Sequence, residues 1–382
     1  MTIVYSFASP AGDVSVDTET LARPFIAEPL QYHPFMVLGD FFDAVRDFVL
    51  SKEGQPLTTV LSRSWGRKVH LNDIDTIVIR YEKYGTLYQI ASVDIIAGDK
   101  NVKFAISAAL TPSARKNIEI EYNLISALNM NTGLPYLPRV FFMDTQRIEK
   151  DGRIETMALS LAEWFEGYHE WHYYRDMEGR NRIAIWDMGG GNRFVSDQEA
   201  YEIVREASKI LALYYDVGTG KRIIPWHHGA GDFATNVDSG KVDVKLVTVR
   251  GYEPFFSFDA HDASHPLKGL LLFFLEVTTK MRMDKREGVG YTTWADSAFV
   301  KAAVEGFFQA IKIRGSRGEM GSINVEDFIA LIKALTRNEI GKLIQSQLDE
   351  YLARDTSDHL VLTEHLEEHT FDLIDVIKHL PS

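Results

Sequence analysis

The sequence predicts an α+β fold of two lobes, a strand-rich first part followed by a mainly helical one. Two observations carry this. Residues 75–110 and 139–165 read as alternating runs around one helix, giving the order strand, strand, strand, helix, strand, strand. From Pro266 onward the apolar spacing is helical throughout. With 382 residues, 45% of them hydrophobic and 25% charged, the chain is long enough to bury a sizeable core.

Composition narrows the function classes. A net charge of −13 argues against a general nucleic-acid binder, which needs a basic face, and leaves room only for a local basic patch. The absence of cysteine excludes disulfides, zinc-thiolate sites and cysteine nucleophiles. The opening MTIVYSFASPAGD lacks the basic-then-apolar pattern of a signal peptide, and the longest apolar run, Gly269 to Val277, is too short for a bilayer. The expectation is a soluble cytoplasmic protein with no membrane or nucleic-acid partner, and a small-molecule or protein partner that the sequence does not name.

In chain order, residues 1–36 read as irregular, punctuated by Pro10, Pro24, Pro29 and Pro34. Gly39-Asp40 opens a helix to about Ser51 with Phe41, Phe42, Val45, Phe48 and Val49 on one face. Residues 1–65 thus read as an N-terminal extension with one helix. A β-rich lobe follows over 66–167. Its runs Asp75 to Glu82, Leu87 to Ile96 and Val102 to Leu110 turn at Tyr84-Gly85 and Gly98-Asp99, an antiparallel meander. Pro112 starts a helix striped with Ile118, Tyr122, Ile125 and Leu128. The pair Arg139 to Ile148 and Arg153 to Phe165 turns at Lys150-Asp151-Gly152, which completes five strands expected in one antiparallel sheet.

Residues 168–382 form the mainly helical lobe. His169 to Asp187 is an aromatic hairpin-like segment, and Gly189-Gly190-Gly191 breaks the chain. Ser196 and Glu199 make a capping box for a helix to about Tyr215. Helices are expected at 266–284, 293–313, 324–335, 337–354 and 360–379, with a C-terminal helical extension from about 316 and Arg314 to Gly321 as a flexible link.

Polar chemistry concentrates in the loop and strand pair from Trp226 to Glu253, WHHGAGDFATNVDSGKVDVKLVTVRGYE. Asp232 is the candidate general base and Asn236 the candidate metal ligand, although both types also build turns through their own backbone. His227 and His228 stabilise the loop in the blander reading. Arg250 offers a bidentate fork for phosphate or carboxylate, or pairs with a local acid such as Glu253.

This organisation resembles the protein-kinase-like superfamily, with its closest look to aminoglycoside phosphotransferases and related small-molecule kinases. The matching stretches are Leu159 to Gly167 (LSLAEWFEG), similar to that family's last N-lobe strand and hinge, and Tyr122 to Leu128 with Glu119 or Glu121, similar to its acid-bearing helix. His228-Gly229, Asp232 and Asn236 resemble its catalytic loop. The resemblance covers roughly residues 66–310. It implies a bilobal protein-kinase-like fold, with a five-stranded antiparallel N-lobe sheet and a mainly helical C-lobe. It also implies catalytic roles for Asp232 and His228, nucleotide contacts at Ser107, Glu121, Glu163 and Arg250, and a metal contact at Asn236. The cofactors implied are ATP and Mg²⁺, bound weakly.

The sequence departs from that pattern at charged positions the chemistry needs. Ser107 stands where the family has its strand lysine, and Lys103 on the same face lies about 13 Å back along the strand. Two extra residues separate His228-Gly229 from Asp232, and Asp232 to Asn236 is one residue short. After the strand Val244 to Val247, Thr248-Val249-Arg250-Gly251 supplies no acid. The expected function is therefore a kinase-like protein with an incomplete catalytic set, non-catalytic or very weak, that binds a nucleotide or small molecule. An active phosphotransferase with a rearranged site is the alternative. The third reading is a metal-dependent hydrolase using Asp259, His261, Asp262 and His265, whose histidines have the spacing of one helix face.

Overall fold

The computed structural model describes every residue except 10, 11, 29, 30, 86, 188, 258–261, 263, 289, 348–355, 381 and 382. The chain divides into two compact units. The first comprises Met1–Met130, Pro138–Glu166 and Met188–Gly191, and the second Asn131–Leu137, Gly167–Asp187 and Asn192–Ser382.

The first unit opens with strands β1 (Thr2–Phe7) and β2 (Val14–Ser15), a single helical turn α1 (Thr18–Leu21), and the hairpin β3 (Pro24–Glu28) and β4 (Gln31–Val37). Helices α2 (Leu38–Val49) and α3 (Gln55–Trp65) follow. Then come β5 (Thr76–Tyr84), β6 (Gln89–Ala97), β7 (Lys100–Ala109), α4 (Pro112–Thr132), β8 (Val140–Lys150) and β9 (Arg153–Glu163). The five strands expected from the alternation lie side by side and pair antiparallel throughout.

The sheet is nevertheless seven-stranded, in the order β2-β1-β5-β6-β7-β9-β8, and β1 runs parallel to β5 from Thr2↔Thr76 to Phe7↔Tyr81. The expected five-stranded, wholly antiparallel lobe is corrected accordingly. TIVYSF is an unbroken alternating run, and Ile3, Tyr5 and Phe7 pack on the core. Prolines downstream obscured it. Pro24 and Pro34 fall in the bulged β3–β4 hairpin, where proline is tolerated, and Pro10 and Pro29 lie outside the described residues.

One sheet face, with Ile77, Ile79, Val93, Ile95, Phe104, Ile106, Leu159 and Leu161, buries the apolar stripe of α2 and Leu57 and Leu61 of α3. Each such side chain contributes about 1.5–3 kcal/mol on burial. Residues 1–65 are thus not an appendage with one helix. They supply strands β1 to β4 and helices α2 and α3 to the same core. On the other face Ala109 and Ala158 receive Ala114 and Ile118 of α4, so the helix lies on the sheet as its stripe requires.

The second unit begins with β10 (Glu170–Arg175), β11 (Asn181–Trp186) and β12 (Arg193–Phe194), the aromatic hairpin plus a short third strand. Helix α5 (Asp197–Leu213) starts on the Ser196–Glu199 capping box. Next are β13 (Arg222–Ile223), the hairpin β14 (Phe233–Asp238) and β15 (Lys241–Leu246), and β16 (Tyr252–Glu253), which pairs with β13. Helix α6 (His265–Lys280) is followed by β17 (Met283–Lys285), β18 (Thr292–Trp294), α7 (Ala298–Ser316), α8 (Val325–Ala334), α9 (Arg337–Gln345) and α10 (Thr356–Lys378).

Helices α5 and α7 meet where a Cβ on Gly306 would lie 2.0 Å from the Arg205 carbonyl oxygen, so only glycine permits the approach. Two expectations fail in this unit. The chain after Pro266 is not all helical, because β17 and β18 form a hairpin too short to register as a period. Arg314 to Gly321 is not a loose link at its start. Arg314 is buried and donates Nη1 to the carbonyls of Ala212 (3.3 Å) and Tyr215 (2.5 Å). Among the described residues no helix is long and apolar enough to cross a membrane.

Candidate functional site

The loop after β13 carries Trp226 inward, and residues His228–Asp232 wind into one wide π-type turn before β14 begins. Its tightness depends on glycine. A Cβ on Gly229 would sit 1.9 Å from Asp284 Oδ2 and 3.0 Å from the Trp171 carbonyl oxygen.

His228 is fully buried. Trp171 Nε1 donates to its Nδ1 at 3.1 Å, and Tyr173 Oη lies 3.5 Å from Nε2. Burial holds its pKa down to about 3, with the neighbouring His227 acting in the same direction. The imidazole is therefore neutral with one lone pair already taken, a buried structural histidine between two aromatic side chains of β10.

Asp232 is 1% exposed. Its Oδ2 accepts the His227 backbone N–H at 2.8 Å, and its Oδ1 lies 2.5 Å from Arg250 Nη2. Its backbone carbonyl accepts from Val247 N at 2.8 Å. Arg250 thus pairs with Asp232, and the Glu253 carbonyl accepts from Arg222 Nη1 at 3.1 Å.

Asn236 does not join this pair. It sits within β14 opposite Asp243, and its side-chain amide lies over Gly167. Ser107, Glu121 and Glu163 belong to the first unit. Ser107 faces Ser160 across β7 and β9, Glu121 is buried on α4, and Glu163 makes a two-pronged ion pair with Arg139 at 3.0 and 3.2 Å. Lys103 is engaged by Glu82 at 3.5 Å and stacks over Trp164 at 4.3 Å.

The loop brings together groups that the sequence did not single out. Asp284, from β17, is fully buried and accepts the backbone N–H of Lys285 at 2.7 Å. Burial raises its pKa well above the usual carboxylate range, and the charges of Asp232 and Asp358 push the same way. Asp358, in the first turn of α10, accepts from Thr292 Oγ1 at 2.7 Å and meets His227 Nε2 at 3.3 Å and Lys285 Nζ at 3.4 Å. These partners outweigh its desolvation and lower its pKa. Lys280, at the end of α6, is buried over the Trp226 ring at 4.6 Å, and burial lowers its pKa against the pull of Glu276, Asp358 and Asp232. No spacing rule links positions 232, 284 and 358, so only the fold reveals the cluster.

The residues present do not fit an ATP–Mg²⁺ centre. Both oxygens of Asp232 are engaged, Asn236 is turned to Gly167, and among the described residues no group of three or more His, Cys, Asp or Glu is placed to hold a metal ion. Of the proposed hydrolase set, Asp262 pairs with His265 at 3.0 Å, while Asp259 and His261 lie outside the described residues. At the Tyr84-Gly85 turn, Gly85 donates its N–H to the Tyr88 carbonyl at 2.8 Å. No protein-family model matches the chain, and no curated protein matches it either.

Proposed function

We propose that the chain is a kinase-like binding protein without phosphoryl-transfer activity, taking a nucleotide or small molecule with an incomplete catalytic set. The state of Asp232 is the observation that supports this most. A general base must reach the hydroxyl it deprotonates, and Mg²⁺ must meet free carboxylate oxygens. Asp232 is 1% exposed and gives one oxygen to Arg250 and the other to the His227 amide. Ser107 occupies the strand position where the resemblance calls for lysine, and Lys103 is committed to Glu82 and Trp164. Losing such charges typically costs orders of magnitude in rate.

The test combines thermal-shift titration with ATP in the presence and absence of Mg²⁺ and an ADP-release assay over a broad substrate screen. A ligand that binds only the native state raises its apparent stability. The reading expects no magnesium-dependent stabilisation, and ADP release no faster from wild type than from Asp232→Asn. Robust turnover abolished by that one substitution would overturn it in favour of an active phosphotransferase with a rearranged site.

A further inference from the structure

Helix α3 ends at Gly66, which caps it with a φ of 63°, and positive charge gathers around this end. Arg63, Arg67 and Lys68 are exposed and line an open groove of about 510 Å³ together with Thr58, Thr59 and Ser62. Beside it, Arg67 and Lys100 lie over the Trp65 ring at 5.8 and 5.7 Å. Acidic compensation is thin. Arg67 has Asp73 at 3.7 Å, whereas among the described residues neither Arg63 nor Lys68 has an ion-pair partner.

A helix C-terminus attracts cations through its exposed carbonyls, and that accounts for Arg63 in the last turn. It does not account for Arg67, Lys68 and Lys100, which lie beyond the helix. The three hydroxyls donate to helix carbonyls, Thr58 to Gly54, Thr59 to Gln55 and Ser62 to Thr58, so recognition in this groove is cationic. The clustered cations repel one another, and the carboxylate paired with them is that of Asp73.

We propose that this groove binds a compact anion bearing phosphate groups. Two guanidinium forks beside an ammonium match phosphate oxygens with paired hydrogen bonds. Compactness follows from the charge balance. At physiological salt the patch acts over about 8 Å. A long polyanion would therefore extend past the patch onto a chain that is negative overall. The site is separate from Asp232 and stands whether or not the functional reading above holds.

Isothermal titration with inorganic pyrophosphate tests this on the full chain, for wild type and for Arg63→Ser with Lys68→Ser. Both side chains are exposed, so the double variant keeps the wild-type melting temperature, and Lys301→Ser with Lys312→Ser, both exposed on α7, serves as the charge-matched control. The expected result is binding that weakens with added salt, falls about ten-fold or more in the double variant, and is unchanged in the control. A second arm sediments the proteins with phosphatidylcholine vesicles containing phosphatidate. Groove-dependent sedimentation without pyrophosphate binding assigns the same phosphate chemistry to a lipid headgroup. Absence of binding in both arms, binding indifferent to the double substitution, or tighter binding of a polyglutamate peptide overturns the proposal. The same variant separates the two proposals in ATP titrations, because stabilisation through this groove disappears with Arg63 and Lys68 while stabilisation through the Asp232 region persists.

Discussion

Arg250 Nη2 and Asp232 Oδ1 meet at 2.5 Å, joining the turn that precedes β14 to the segment that follows β15. The contact closes the base of the β14–β15 hairpin from both of its flanks. Because Asp232 is almost fully buried, removing its cation leaves a desolvated charge rather than a hydrated one. Arg250→Ala is expected to lower the unfolding free energy by about 3 kcal/mol. Arg250→Lys should recover only part of it, since an ammonium cannot reproduce the fork. Urea denaturation of the three proteins measures this. A loss below about 1 kcal/mol would place the pair with screened surface pairs instead.

Gly229 and Gly240 separate steric from conformational cost. A Cβ at Gly229 collides with Asp284 and the Trp171 carbonyl, both in buried surroundings that leave little room to yield. At Gly240 nothing lies within 4 Å, and only the φ of 79° opposes a side chain. Gly229→Ala should therefore cost about 3 kcal/mol or more, and Gly240→Ala about 1 kcal/mol. Melting temperatures in that order support the reading. Equal shifts would mean the turn relaxes around the methyl group.

Arg282 fastens α10 to the β17–β18 hairpin. It is 1% exposed, donates to Asp372 at 2.8 Å, Glu368 at 2.6 Å and the Ala295 carbonyl at 3.0 Å, and stacks on Trp294 at 4.6 Å. Arg282→Met keeps the stem volume and removes the fork. Hydrogen exchange in α10 is expected to accelerate at least about ten-fold, the equivalent of 1.4 kcal/mol of local opening. Unchanged protection of the helix would show that its apolar face alone holds it.

What was legible in the sequence follows from periodicity. Strands β5 to β9 and helices α2, α4 and α5 alternate or stripe over enough residues to declare themselves, and the Ser196–Glu199 cap fixed where α5 begins. The β1 strand was hidden by the prolines that follow it, and the β17–β18 hairpin by strands three residues long. At the site, crowding of polar residues on one loop pointed to Asp232 and Arg250, which pair, and to His228, which is buried against Trp171 and Tyr173. Their state was not legible. Whether Asp232 faces substrate or an arginine depends on where residue 250 lands, and Asp284 and Asp358 arrive from β17 and α10 through tertiary packing alone.

Titration of the buried groups gives the second unit a pH dependence whose sign can be worked out. Burial holds His228 and His369 near pKa 3, against an ordinary 6.5. Each is neutral when folded and takes up a proton on unfolding below 6.5, so its stabilising contribution is complete above that value and is lost as pH falls toward 3. Asp284 works in the opposite sense. Its folded pKa is raised, so the native chain keeps a proton that the unfolded chain releases, and its contribution, present below about 3.8, is lost as pH rises. Asp358, lowered by its partners, loses its contribution only below the ordinary carboxylate value and stays outside this comparison. Between about pH 6 and pH 5 the two histidines each add nearly one proton to the unfolded state, a fall in stability approaching about 2.7 kcal/mol per pH unit from that pair, and Asp284 opposes it. His369→Gln removes one histidine and should flatten the slope by about 1.4 kcal/mol per pH unit, whereas Asp284→Asn should steepen it. Urea midpoints for the three proteins at the two pH values decide the matter, and a slope that neither substitution moves would mean these groups titrate alike in folded and unfolded chains.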